Sequence, residues 1–153
     1  SDFVQSLDSV DIDSIQKGND FMSSYPDSVY SRLIALQLAK LYYEEGDKDE
    51  ATVKLNWIIE NTNKGFRQKY DPIEVTAKYR LALLLLDQEK FKESLDLLGT
   101  IEDKTASIYE LIGDCYVYLE ANDNARINYL KAMEASPSES VKSIIKMKLS
   151  DIN

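Results

Sequence analysis

Apolar residues along this chain recur at helical spacing from end to end. Between about residues 9 and 24, Ile12, Ile15 and Met22 lie three to seven apart, which predicts an N-terminal helix closed by Tyr25 and Pro26. Near the other end Val141, Ile144, Ile145 and Leu149 form an apolar stripe with Lys142 and Lys146 off it, predicting a last helix that caps whatever precedes it. Six more helical segments fit between these two, so the pattern predicts eight helices.

Those six segments repeat. The first pair carries Ala35, Leu38, Ala39, Tyr42, Gly46, Ala51 and Leu55; the second Lys78, Leu81, Ala82, Leu85, Phe91, Ser94 and Leu98. The third carries Tyr109, Ile112, Gly113, Tyr116, Ala125, Tyr129, Ala132 and Pro137. A large residue, Leu-Gly or Leu-Ala, Tyr, then Ala, an aromatic and Pro over about 34 residues is the tetratricopeptide pattern. Small side chains have a mechanical purpose in it: Ala39, Ala82 and Gly113 on first helices oppose Ala51, Ser94 and Ala125 on second helices, where the axes cross closely. The larger neighbours fill the seam between successive repeats, so each unit is stable only when stacked.

Turn chemistry agrees with this division. Gly46 stands where a helix end commonly needs positive φ, and Asp47 with Glu50 suits an N-cap and third helical position. Asp71, Pro72 and Glu74 give a cap, a first-turn proline and a capping-box acid, and Ser136-Pro137-Ser138-Glu139 repeats that start signal before the last helix. The equivalent small residues are 43 and 31 apart, and the extra length falls between residues 61 and 70. The expected architecture is a single all-α domain over 1–153, a right-handed tetratricopeptide superhelix. Residues 1–27 form an N-terminal extension and helix, 28–70, 71–101 and 102–137 the three repeats, and 138–153 a capping helix.

In such arrays the first helices line a concave groove, and offsets beside the seam positions point into it. These are Leu33, Leu36, Lys40 and Tyr43; Tyr79, Leu83, Leu86 and Asp87; and Glu110, Asp114, Val117 and Tyr118. The expected groove is apolar and aromatic with acidic edges, a surface for protein. Leu81 to Leu86 is apolar on all sides, so something covers it: a terminal helix folding back, or a docked partner segment. Capture of a C-terminal carboxylate needs several basic or amide side chains, and only Lys40 qualifies. Trp57 reads as core rather than an anchor, and Lys64, Phe66, Arg67, Lys69 and Tyr70 as a solvated loop.

Charge and composition remove most other chemistry. The net charge is −9, with 4 basic against 11 acidic residues in the first fifty, which disfavours nucleic acid as a partner. There is no histidine and one cysteine, Cys115, so His-based acid–base catalysis, nucleophilic triads and His or multi-Cys zinc sites are excluded; no cofactor is expected. Cys115 reads as a small buried hydrophobe. The acidic run from Glu44 to Glu50 lacks the ligand alternation of an EF-hand and reads as a solvated turn. No run approaches the ~20 apolar residues that span a bilayer, and the chain opens at Ser1 without a signal-peptide pattern, so a segment upstream is expected to have been removed.

The order and unequal spacing of these motifs carry a resemblance over roughly residues 12–153. Leu36 to Lys40 with Gly46, Asp47 and Ala51, Tyr79 to Ala82 with Phe91, Ser94, Leu95 and Ile101, Gly113 and Asp114 with Ala125 and Arg126, and the ending Met147 to Ile152 resemble the periplasmic domain of YfgM-type ancillary subunits of the bacterial Sec translocon. The resemblance implies a periplasmic domain of a single-pass inner-membrane protein, touching the membrane only through an anchor absent from this chain. It implies SecYEG, a membrane-anchored periplasmic chaperone and client segments as partners, and a non-catalytic part in handing over emerging proteins. A generic cytosolic repeat scaffold or co-chaperone adaptor is the alternative. An acidic-residue enzyme is a second, to be marked by two carboxylates facing each other in a closed pocket.

Overall fold

Most of the start and stop signals are realised in hydrogen bonds in the computed structural model, which describes residues 9–62, 70–136 and 138–152. Among these residues there are eight helices and no strand: α1 (Ser9–Ser24), α2 (Val29–Glu44), α3 (Lys48–Glu60), α4 (Pro72–Asp87), α5 (Phe91–Gly99), α6 (Ala106–Tyr118), α7 (Asn122–Ala135) and α8 (Glu139–Asp151). The loop assigned to Lys64, Phe66, Arg67 and Lys69, and the proline at 137, lie outside the described residues.

First helices begin on side-chain caps. Ser28 Oγ accepts from the amide of Tyr30, Asp71 Oδ1 from those of Ile73 and Glu74, and Thr105 Oγ1 from Ile108. Asp47 caps α3 through the Glu50 amide, as the sequence predicts. The last helix differs in detail: its cap is Ser138, whose Oγ accepts from Val141, so the start falls two residues later than a cap at Ser136 would put it.

The three first helices also end alike. Gly46 has φ +84°, and its amide bonds to Tyr43 O while that of Asp47 bonds to Tyr42 O. The same double bond closes α4 at Glu89 and Lys90 and α6 at Glu120 and Ala121, each a Schellman turn. Gly46, Glu89 and Glu120 stand seven residues after Ala39, Ala82 and Gly113, so the turn keeps register with the buried small residue through all three repeats. Only the first uses glycine; Glu89 and Glu120 are held at φ 61° and 59°, which costs a side-chain-bearing residue roughly 1–2 kcal/mol. Glu120→Gly should therefore raise stability by about 0.5–1 kcal/mol, the relief less the added entropy of an unfolded glycine. A urea midpoint that stays put or falls would show the turn to be unstrained.

Two compact units make up the chain, Ser1–Leu81 and Ala82–Asn153, the division falling within α4. In the first, α2 and α3 pair as a hairpin around Ala35, Ala39, Ala51, Leu55 and Ile58, all at most 2% exposed. Helix α1 packs on α2 at Gly18, where an added Cβ would lie 3.0 Å from Ile34 Cγ2. The start of α4 is tied to α2 by Arg32 Nη1 to Asp71 Oδ2 at 2.6 Å and by Arg80 Nη1 to Leu36 O at 3.4 Å.

Partial burial alone would raise the Asp71 carboxyl, but the Arg32 guanidinium and the amides of Glu74 and Ile73 outweigh it and hold the pKa below the usual value. The unfolded chain thus takes up this proton first as pH falls. The stabilisation is complete above about pH 4 and is lost as pH drops through the lower, folded pKa. Asp71→Asn should flatten the acid limb of the stability curve below about pH 4 while lowering stability at neutral pH. An acid limb as steep as wild type would remove Asp71 from the account.

The second unit carries the tightest crossing. Gly113 on α6 meets the Tyr129 ring of α7: a Cβ there would sit 2.5 Å from Cε1. Ser94 Oγ donates to Ala82 O at 2.9 Å, joining α5 to the C-terminal half of α4, and Cys115 Sγ lies 3.5 Å from Ser94 Oγ, fully buried. Burial pushes that thiol up from its ordinary value, as expected of an inert core cysteine. Helix α8 closes the unit with Ile145 and Ile152 in one cluster with Ala125, Tyr129 and Ala132, flanked by Val141 and Leu149. Ile144 is a correction to the predicted stripe: it is 51% exposed. Two adjacent residues on a helix point about 100° apart, and it is Ile145 that faces Ala125, Tyr129 and Ala132 of α7.

Candidate docking surface

In the first unit the 33, 36, 40, 43 spacing puts four predicted groove residues along one side of α2. Leu33 and Tyr43 are exposed at 42% and 54%, Leu36 is half-buried, and Lys40 is exposed and 3.7 Å from Glu44. Tyr79 on α4 is half-buried in the same unit. Beside this stripe α1 and α2 enclose a cleft of about 740 Å³, floored by Gly18, Phe21, Ile34 and Leu38 and edged by Lys17 and Lys40. Trp57 is half-buried, neither core nor free anchor.

The second unit gathers Leu86, Asp114, Val117 and Tyr118 around one cleft of about 320 Å³. Leu83, outside that cleft, is 39% exposed, so the all-apolar run from Leu81 to Leu86 buries Leu81, Ala82 and Leu84 and leaves Leu83 on the surface. Tyr118 is 60% exposed yet ordered, its ring stacked on Phe91 with centroids 4.8 Å apart and planes 3° from parallel. One face of the ring is thus engaged and the other remains outward.

Asp114 is engaged inside the chain. Lys148 Nζ, from α8, lies 2.9 Å from both of its oxygens and 2.8 Å from Glu110 Oε1, while Tyr129 Oη donates to Asp114 Oδ1 at 2.7 Å. Burial by itself would lower the Lys148 pKa, but its bonds to Asp114 and Glu110 raise it above the ordinary lysine value. Tyr129 is also pushed up, first by burial and then by Asp114. Asp114 and Glu110 thus stand together on α6, and the terminal helix supplies them with a cation. Sequence reading missed this role for Lys148; its one signal was a lysine near the end of a helix that must pack beside an acidic one. No cluster of three or more potential metal ligands occurs among the described residues, and none of their helices is long and apolar enough to cross a membrane.

Comparison with known proteins gives this arrangement a context. Residues 1–153 match the family model described as a tetratricopeptide repeat-like domain. An ancillary SecYEG translocon subunit of Neisseria gonorrhoeae (strain ATCC 700825 / FA 1090) is 32% identical over 132 residues, which are 84% of this chain and 60% of that protein. A protein of the same name from Buchnera aphidicola subsp. Acyrthosiphon pisum is 26% identical over 127 residues, 82% of this chain and 63% of its own length. The chain thus spans about three fifths of the curated relatives it matches. The crystal structure of MamA superposes with a TM-score of 0.64 over 90% of this chain and 78% of that one, at 17% identity, a likeness of fold alone.

Proposed function

The chain belongs to the tetratricopeptide repeat-like domain family, and from that premise we propose that it is the protein-binding domain of an ancillary translocon subunit. The observation that carries the reading is the agreement of two independent features: relatives named for that role, and exposed apolar side chains at the groove offsets of both units. Leu33, Tyr43, Leu83 and Tyr118 are exposed, each where a partner segment can bury it. Leu36, Lys40, Tyr79, Leu86, Asp114 and Val117 complete the proposed contact set. In this reading the domain lies in the periplasm, held to the inner membrane by an anchor outside the present chain. It works without catalysis, receiving emerging segments beside SecYEG and passing them to a membrane-anchored chaperone. Its physical basis is that repeat arrays present rigid, side-chain-lined surfaces without needing a reactive group.

Purification of the natural full-length protein from membranes in mild detergent tests this. Wild type should bring the translocon with it, and Tyr43→Asp with Leu83→Asp should reduce that recovery at least about fivefold while the melting temperature is kept. Undiminished recovery from a folded double variant would place the contact elsewhere.

A further inference from the structure

An ammonium group is already bound in the second unit, and it belongs to the chain itself. Lys148 Nζ is held by Asp114 at 2.9 Å and Glu110 at 2.8 Å, with the Tyr129 ring 5.9 Å from it. The Tyr129 hydroxyl fixes Asp114 from the other side at 2.7 Å. Two carboxylates and an aromatic face are the elements that recognise an ammonium. Asp151 lines the same cleft as Asp114 and Lys148, and Glu110 is bonded to that lysine, so carboxylates outnumber ammonium groups at the site. Leu86, Val117 and the free face of Tyr118 add apolar walls to that charge.

We infer that this cleft takes an apolar segment of a partner protein bearing a basic side chain, seated in competition with Lys148. The partner's ammonium or guanidinium adds to the Asp114 and Asp151 carboxylates of the cleft, with Glu110 holding Lys148, while its apolar residues cover Leu86, Val117 and Tyr118. Lys148 keeps the site closed to weak cations, since a newcomer must share or displace a lysine that is tethered in place. Charge complementarity selects the occupant: an acidic segment meets like charge, and a purely apolar one leaves the excess carboxylate unanswered. The inference rests on the reading of the chain as a protein-binding domain and specifies the chemistry of one partner segment.

Three synthetic peptides of roughly 15 residues test it, long enough to form amphipathic helices. They share one apolar face and carry on the other Lys, Gln or Glu. With the whole 153-residue chain, fluorescence anisotropy should show the Lys peptide binding at least about tenfold tighter than the Glu peptide. Asp151→Asn with Glu110→Gln should remove most of that difference, and Lys148→Met should tighten the Lys peptide about threefold. Equal binding of the Lys and Glu peptides overturns the inference while leaving docking of apolar segments intact. Binding of none also overturns it, and the translocon reading is then judged by its own co-purification. If Lys148→Met fails to fold by circular dichroism, the carboxylate pair decides: a charge preference that survives it places recognition outside this cleft.

Discussion

Gly113→Val should destabilise the protein by about 3 kcal/mol, as overpacking of a closed core site does. A Cβ at this position would stand 2.5 Å from Cε1 and 2.6 Å from Cδ1 of Tyr129, closer than carbon atoms can approach. The ring cannot swing clear, because it is 2% exposed and its hydroxyl is bonded to Asp114. Helix propensity opposes the loss, since valine is a few tenths of a kcal/mol better than glycine in a helix interior, but that is an order of magnitude too small to compensate. Gly113→Ala should fall between, its propensity gain of about 1 kcal/mol offsetting part of the clash. Urea unfolding of the three proteins measures this, and a valine variant as stable as wild type would mean that α6 and α7 separate at no cost.

Removing α8 should have a larger effect. Ending the chain after Ser136 deletes the fully buried Ile145, together with Ile152 and the half-buried Val141 and Leu149. It also uncovers Tyr129, Ala125 and Ala132, and it strips Asp114 and Glu110 of the lysine that pairs with both. Ile145→Ala alone is expected to cost about 3 kcal/mol, and the truncation on the order of 5 kcal/mol or more. The shortened chain should bind a hydrophobic dye and melt at a much lower temperature. An unchanged melting midpoint would show that the array needs no cap.

Most of the fold was legible because a tetratricopeptide array is written in local signals. Small residues at 39, 82 and 113 and at 51, 94 and 125 mark the crossings, and all six are buried. Capping residues such as Asp47 and Asp71 make the bonds their positions imply. What escaped sequence reading depends on packing over distance. Glu89 and Glu120 occupy the turn position that glycine fills at 46, which only the seven-residue register with Ala82 and Gly113 reveals. Ile144 and Ile145 both read as stripe, yet adjacent helical residues point apart and Ile145 is the one that enters the cluster with Ala125, Tyr129 and Ala132. Lys148 lies 34 residues beyond Asp114, and nothing local announces that the two meet. The candidate groove was legible as a set of offsets, whereas its electrostatic state was not, because the neutralising charge comes from a different helix.

The central claim, that the exposed apolar residues of the two units receive protein segments at the translocon, is tested most directly by placing a photoreactive residue at single positions of the natural full-length protein in cells. Tyr43 and Leu83 probe the proposed contact residues of the first and second units, with Val53 and Ile127, exposed at 53% and 51% on second helices, as controls. The account predicts crosslinks to a translocon subunit or to a segment leaving it from Leu83 or Tyr43, and none from Val53 or Ile127. Crosslinks to the translocon from the control positions alone, or from no position, would contradict it.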